Sequence, residues 1–517
     1  MENRFQMTAS AAIIKGEGRF FRWQKVKTAR RKPRSPKKIR QSNGLRFRGG
    51  QPPPLNFGAA TVAQSNEYAG RFSLTKWLLL SAGALASAAL LVAQSRGNAY
   101  GPSRIWWDAD QGGFLPRAED YDNAEGTSGM VNLSGIVRAD DHAFFVALGT
   151  NGRACITCHQ PSNSMSVSAA TLRERWTETA GKDPVFAAID GSNCPSLPQA
   201  AVASHSLTLN RGLFRIAMAW PPASVRPDFT IETVSDPTGC NTDPVYGLKG
   251  TKPAISVFRR PRVVANLAST TEAATGGTHG ISLMADGREA TLRTQAITAA
   301  RTHEQMQGTP TTAQLTQILE FERQIFVAQS SDVRGGLLED TRGPFTLGPQ
   351  SLSEGKSGSP VGIVAALTPD AWLARPGVPV AGFQKEFRDS ASRGSAVFLQ
   401  HCASCHNENA ASKPMDIGTA NRVPREALKD LPLFRVTCAT GQVIYTQDPA
   451  RALVTGKCSD TGAIVPQQLR GLAARAPYFA NGSAATLRDV VDFYDRRFAT
   501  GYTSQEKQDL VNFLKTL

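Results

Sequence analysis

The chain has 517 residues, 41% hydrophobic and 20% charged, which is room for about two to four domains and too apolar for a mainly disordered protein. Its net charge of +15 suggests a nucleic-acid binder until the charge is located. Residues 1–76 carry 17 Lys/Arg against 3 Asp/Glu, leaving residues 77–517 at +1, so a basic groove for nucleic acid is disfavoured as the main function and no nucleic-acid partner is expected.

Residues 1–70 are basic and broken by Pro, Gly and Gln, with no apolar periodicity. They read as a disordered extension or as a start site assigned too far upstream. Residues 71–99 have the layout of a secretory signal or an N-terminal membrane anchor. Arg71 and Lys76 precede an uncharged run, Trp77–Ser95, and the small-residue site Gly97-Asn98-Ala99 follows it. The remainder of the chain is then expected outside the cytoplasm, in the periplasm, free or anchored to the inner membrane through residues 77–95.

Eight cysteines follow. Four lie in two copies of one pattern, Cys155-Ile-Thr-Cys158-His159 and Cys402-Ala-Ser-Cys405-His406. Two thiols at this spacing can form thioethers to the two vinyl groups of one haem, and the adjacent imidazole can ligate its iron. The expected cofactors are therefore two covalently attached c-type haems. Cys194, Cys240, Cys438 and Cys458 remain, and an oxidising compartment favours pairing Cys194 with Cys240 and Cys438 with Cys458.

The first motif falls in an expected domain 104–330 and the second in 384–517. Residues 331–383, rich in Gly, Pro and Ser, read as a connection. Before it, Thr309 and Pro310 are placed to start a helix with Leu315, Ile318, Leu319, Glu322, Ile325 and Phe326 on one face, Glu322 its one polar member. Thr486 and Asp489 start another, with Leu487, Val490, Val491 and Tyr494 on one face, and Thr503 and Glu506 cap a terminal helix. The only clear strand signal is Phe229–Val234, a small hairpin insert. The expected fold is mainly α: two cytochrome c-type haem domains packed together, with small β-hairpin and loop insertions.

Several stretches resemble the di-haem cytochrome c peroxidase/MauG family: "HAFFVALGTNGRACITCHQP" (142–161), "LMADGREATLRTQA" (283–296), "RGSAVFLQHCASCHN" (393–407) and "LRGLAARAPYFANGSAATLRDVVDFY" (469–494). The resemblance implies that the first haem binds and cleaves hydrogen peroxide and that the second passes electrons to it from a small donor protein, a cytochrome c or a cupredoxin. It places His159 and His406 as proximal ligands, Gln295 and Glu304 in the distal pocket with His303 beside them, and Tyr494 where the peroxidases have the second haem's methionine ligand. MauG has a tyrosine there. Ala285 stands where the family has a tryptophan thought to relay electrons; Trp176, Trp220 or a tyrosine are the candidates to substitute, and spacing does not choose among them. His205, His303 and Met165 are candidates for a sixth ligand of the first haem, and His142 a weaker one. His279 and His401 read as exposed. The leading function is peroxide reduction. A MauG-like oxidase of a protein or bulky substrate and a non-enzymatic electron carrier are the alternatives.

Overall fold

The computed structural model describes residues 104–268, 271, 283–338, 347–355, 381–406 and 414–517. The expected extension 1–70, the signal or anchor 71–99, His279 and much of the connection 331–383 lie outside these. Among the described residues no helix is long and apolar enough to cross a membrane.

The fold is mixed, which corrects the mainly α expectation: four antiparallel sheets stand beside the helices. The strands are β1 (Phe114–Leu115), β2 (Ala118–Asn123), β3 (Gly126–Asn132), β4 (Val137–Arg138), β5 (Phe214–Ala219), β6 (Phe229–Ser235), β7 (Ala254–Arg259), β8 (Ile325–Asp332), β9 (Gly336–Leu337), β10 (Leu433–Cys438) and β11 (Val443–Thr446). The helices are α1 (Ala169–Thr179), α2 (Ser206–Arg211), α3 (Leu292–Thr302), α4 (Thr312–Gln324), α5 (Pro349–Ser353), α6 (Gly382–His401), α7 (Ala452–Thr455), α8 (Leu487–Phe498) and α9 (Ser504–Leu514).

One sheet has the order β2-β3-β8-β9. Its β2 and β3 read "AEDYDN" and "GTSGMVN", too polar and Gly-rich to show as strands by alternation. They form because β8 covers β3 from far along the chain, Val131 opposite Phe326 and Met130 opposite Val327. This pairing also ends α4 early. Thr311, with Gln314, caps that helix in place of the expected Thr309, and Ile325 is already extended. Ile325 and Phe326 are thus strand residues, because a β-branched and aromatic run gains more from the sheet than from another helical turn.

The strand expected near residue 229 exists as β6, but its partner is β10, which hairpins with β11. The insertion is thereby stitched to the second half of the chain. Its own hairpin is β5 with β7.

Around the second motif, α6, α8 and α9 share a core of Phe387, Phe398, Leu487, Val491, Phe513 and Leu514. Gly394 lets α6 lie directly on α9, since a Cβ there would collide with the Asp509 carbonyl. The chain end is anchored too: the Leu517 carbonyl accepts from Gly471 N at 2.7 Å and from Gln329 N, on β8, at 3.2 Å.

Candidate functional site

Each motif lies beside a cavity. Cys155, Cys158 and His159 line the first, with about 1620 Å³ of empty space including its open mouth. Cys402, Cys405 and His406 line the second, with about 1490 Å³. The thiols are unpaired, and burial pushes Cys158 and Cys402 up to about 12 and Cys155 well above its ordinary range.

Burial lowers both His159 and His406 to about 4, so each imidazole is neutral. His159 Nδ1 donates to the Met165 carbonyl at 3.2 Å, the tautomer in which Nε2 can serve as a metal ligand. His406 Nδ1 has no hydrogen-bond partner among the described residues. Two neutral thiols and a neutral imidazole on one cavity wall fit a c-type haem. Among the described residues no group of three or more His, Cys, Asp or Glu converges as a multi-ligand metal site needs.

The first cavity is rich in proton-handling groups. It is lined by Gln295 on α3, by His303 and Glu304 just beyond that helix, and by Glu322 on α4. Glu304 is buried; its Oε2 accepts from Leu148 N at 3.3 Å and its Oε1 from Cys155 Sγ at 3.5 Å. Burial pushes its carboxyl up to about 7, against the pull of those bonds and of Arg153. Gly149 makes this possible, because a Cβ there would strike the Glu304 carbonyl. The loop before the first motif therefore lies against the turn that carries Glu304. Glu322 is also buried, its Oε2 has no partner among the described residues, and burial pushes it up to about 8. His303 Nδ1 pairs with Asp190 Oδ2 at 2.6 Å, and Asp190 is bonded in turn to buried Arg153. Burial alone would raise Asp190, but Arg153 and His303 hold it below its ordinary value.

The second cavity carries no Asp or Glu among the described residues that line it. Tyr494 reaches it from α8, where Thr486 caps the helix with Asp489 and Leu487 and Val491 are buried on the same face. Its ring stacks on Phe498 at 6.0 Å and meets Phe479 edge-on at 5.9 Å. Burial, then the Cys402 and Cys405 thiols, raise its phenol above the ordinary range. Met415 lines the same cavity.

No family model matches the chain. Over 153 residues it is 32% identical to the cytochrome-c peroxidase IdrP1 of Pseudomonas sp. (strain SCT). The chain is similar to a peroxidase. The match covers 25% of this chain and 40% of that protein, so the chain spans less than half the length of the curated relative. The likeness supports an oxidoreductase of peroxidase type and, with it, haem.

The structure brings Gln295, His303 and Glu304 to one cavity with His159, and Tyr494 to the other with His406. It takes other candidates elsewhere. His205 is locked between two carbonyls, Gly191 at 2.8 Å and Gln199 at 2.9 Å, which leaves no nitrogen for iron. Met165 contributes its carbonyl to His159. His142 accepts from Phe144 N at 3.2 Å and packs on Phe145 and Phe321. His401 is exposed, at the rim of the second cavity. Trp176 packs on Phe186 and His205, and Trp220 on Phe229; neither is among the residues lining the two cavities. Cys194 and Cys240, and Cys438 and Cys458, stand at disulfide-bonding distance, with Cα separations of 5.1 and 5.7 Å. Glu322 and Met415 were missed as site residues. Only Glu322 left a signal, a lone carboxylate in an apolar helix stripe.

Proposed function

We propose that the chain is a di-haem c-type oxidoreductase that reduces hydrogen peroxide in the first cavity with electrons delivered through the second. The contrast between the cavities carries this reading: similar attachment sets, but, among the described residues, carboxylic acids line only the first. The haems, when bound, supply redox-active iron, one for peroxide and one as electron store. Cys155 and Cys158, and Cys402 and Cys405, would hold the haems through thioethers, and His159 and His406 would ligate their irons.

The reaction takes one peroxide, two electrons and two protons to two waters. The chain's part is proton handling. Glu304, near 7, can take the proton of the inner peroxide oxygen and return it to the outer one. The Gln295 amide can hold peroxide by hydrogen bonds but cannot titrate. His303, fixed by Asp190, is a second acid–base group at the cavity wall. A small cytochrome c or cupredoxin is the proposed donor. Export to the periplasm belongs to the same reading, since covalent haem attachment in bacteria occurs outside the cytoplasm, and the two cysteine pairs at disulfide distance suit that compartment.

Tyr494 favours a second reading, MauG-like oxidation of a protein or bulky substrate, because a phenolate ligand would lower the second haem's potential. Donor-coupled turnover of peroxide by wild type, Glu304→Gln and His303→Ala tests the first reading. Wild type should turn over peroxide and Glu304→Gln should be slowed. Equal rates in wild type, both variants and the double variant would remove this distal-pocket assignment.

A further inference from the structure

The two cavities share a wall. Arg260, Arg262 and the segment Val465–Gln468 line both, and Arg475 joins from the second. Arg260 and Arg475 are buried and Arg262 half-buried.

Their hydrogen bonds all go to neutral backbone carbonyls. Arg260 donates to Arg211 O at 3.0 Å, Val167 O at 2.7 Å and Arg475 O at 2.8 Å. Arg262 donates to Val465 O at 2.9 Å and Pro466 O at 2.8 Å. Arg475 donates to Gln468 O at 2.6 Å and to Gly471 O and Arg470 O at 3.2 Å. No ion pair is formed by any of the three among the described residues. Neighbouring arginines are treated differently: Arg259 pairs with Asp286 and Asp448, Arg153 with Asp190, and Arg211 with Asp430. The fold neutralises those and leaves three cations facing cavity space.

A buried cation without a counter-charge is costly, and guanidinium does not escape by deprotonating at ordinary pH. Burial, with Arg475 beside it, lowers Arg260 to about 9; burial lowers Arg262 to about 10, and burial with Arg262 nearby lowers Arg475 to about 10. Haem carries two carboxylates, on the ring edge away from the two vinyl-derived arms that cysteines take.

We propose that Arg260, Arg262 and Arg475 form one carboxylate-binding wall on which the propionates of both haems converge, Arg260 and Arg262 serving both haems and Arg475 the second. This rests on the di-haem reading above. It makes the wall an electrostatic link, since one charge acts on two redox centres. Planar two-pronged donation to carboxylate is what guanidinium provides and ammonium does not.

The test uses the full chain matured with haem, as wild type, Arg262→Met, Arg475→Met and Arg262→Lys. Intact mass counts haems, and redox titration gives each midpoint at pH 5 to 8. Removing a nearby cation favours ferric iron, so Arg262→Met should lower both midpoints at pH 8 and Arg475→Met only that of the second haem. Without its partner a propionate takes up a proton within this range, so the drop should shrink toward pH 5.

Other titratable groups facing the wall are Asp286, already paired by Arg259 and Arg288, Tyr478, raised to about 12, and, within the first cavity, Asp190, His303, Glu304 and Glu322. Exposed His401 stands at the rim of the second cavity. The pH effect is therefore read as the difference between variant and wild type, most cleanly at the second haem. Arg262→Lys should recover most of the midpoint. Should Arg262→Met lose a haem, Arg262→Gln gives the same readout. Midpoints and pH profiles equal to wild type, with two haems by mass, would overturn the wall. So would wild-type midpoints that move with added phosphate or chloride, the sign of an exchangeable anion. A wild-type chain without haem would instead overturn the reading beneath it.

Discussion

The first cavity sets Glu304, Glu322, Gln295 and the His303–Asp190 pair around its cysteines and histidine; the second sets Tyr494, Met415, Phe398 and Phe479 around an equivalent set. Proton-coupled chemistry needs groups that hold and release protons near neutral pH, and among the described residues only the first cavity has carboxylic acids placed there, at about 7 and about 8. A site that only moves electrons gains from a dry, aromatic surround with few groups to reorganise. One attachment motif can thus serve two tasks, with the residues facing it deciding which.

The largest effects should come from removing one attachment site at a time. Cys155→Ala/Cys158→Ala should lower the intact mass by one haem and abolish peroxide turnover. Cys402→Ala/Cys405→Ala should also lose one haem and stop donor-driven turnover, yet leave a single-turnover reaction with peroxide. Identical losses of the single-turnover reaction in both would erase the contrast.

Glu304→Gln should slow peroxide turnover by ~10²–10⁴-fold, the usual contribution of one general acid–base group. Tyr494→Phe should leave that step intact and alter the spectrum of the second haem. If the spectrum is unchanged there and altered in Met415→Leu, the sixth ligand is the thioether of Met415.

The two close-approach glycines sharpen the comparison. Gly149→Ala should displace the turn carrying Glu304 and lower peroxide activity. Gly394→Ala should push α6 off α9 at a cost of about 1–3 kcal/mol in stability, read by thermal or denaturant unfolding, with the peroxide step kept.

Glu322 has a higher pKa folded, about 8, than its ordinary 4.5, so between these values the folded chain holds a proton that the unfolded chain has lost. Stability conferred by this group is therefore present at low pH and lost as the pH rises from about 4.5 to about 8, by at most ~1.4 kcal/mol per pH unit. Glu322→Gln should flatten that fall, seen as a smaller gap between unfolding temperatures at pH 5 and pH 8. The smallest effect belongs to Thr503→Ala, which removes the α9 cap for about 0.5–2 kcal/mol and should leave the first cavity's reactivity alone.

Local chemistry was legible in the sequence. Thr486 with Asp489 and Thr503 with Glu506 cap helices where their spacing placed them, and each Cys-x-x-Cys-His set faces a cavity. What was misread depends on distant partners. β2 and β3 lack a strand-like pattern and exist through β8; α4 stops at Gln324 because Ile325 and Phe326 join that same sheet. Met415 faces the second cavity by way of a bridge to Ile464, which nothing near it in sequence announces. The uncompensated arginines could not be seen at all, because the absence of a carboxylate beside them is a property of the fold.

The most direct test of the division between the cavities is rapid mixing of the ferric protein with peroxide, followed optically in wild type, Glu304→Gln and Tyr494→Phe. The division predicts that one haem reacts, that Glu304→Gln slows its reaction, and that Tyr494→Phe does not. A reaction untouched by Glu304→Gln and slowed by Tyr494→Phe would put peroxide in the second cavity and contradict it.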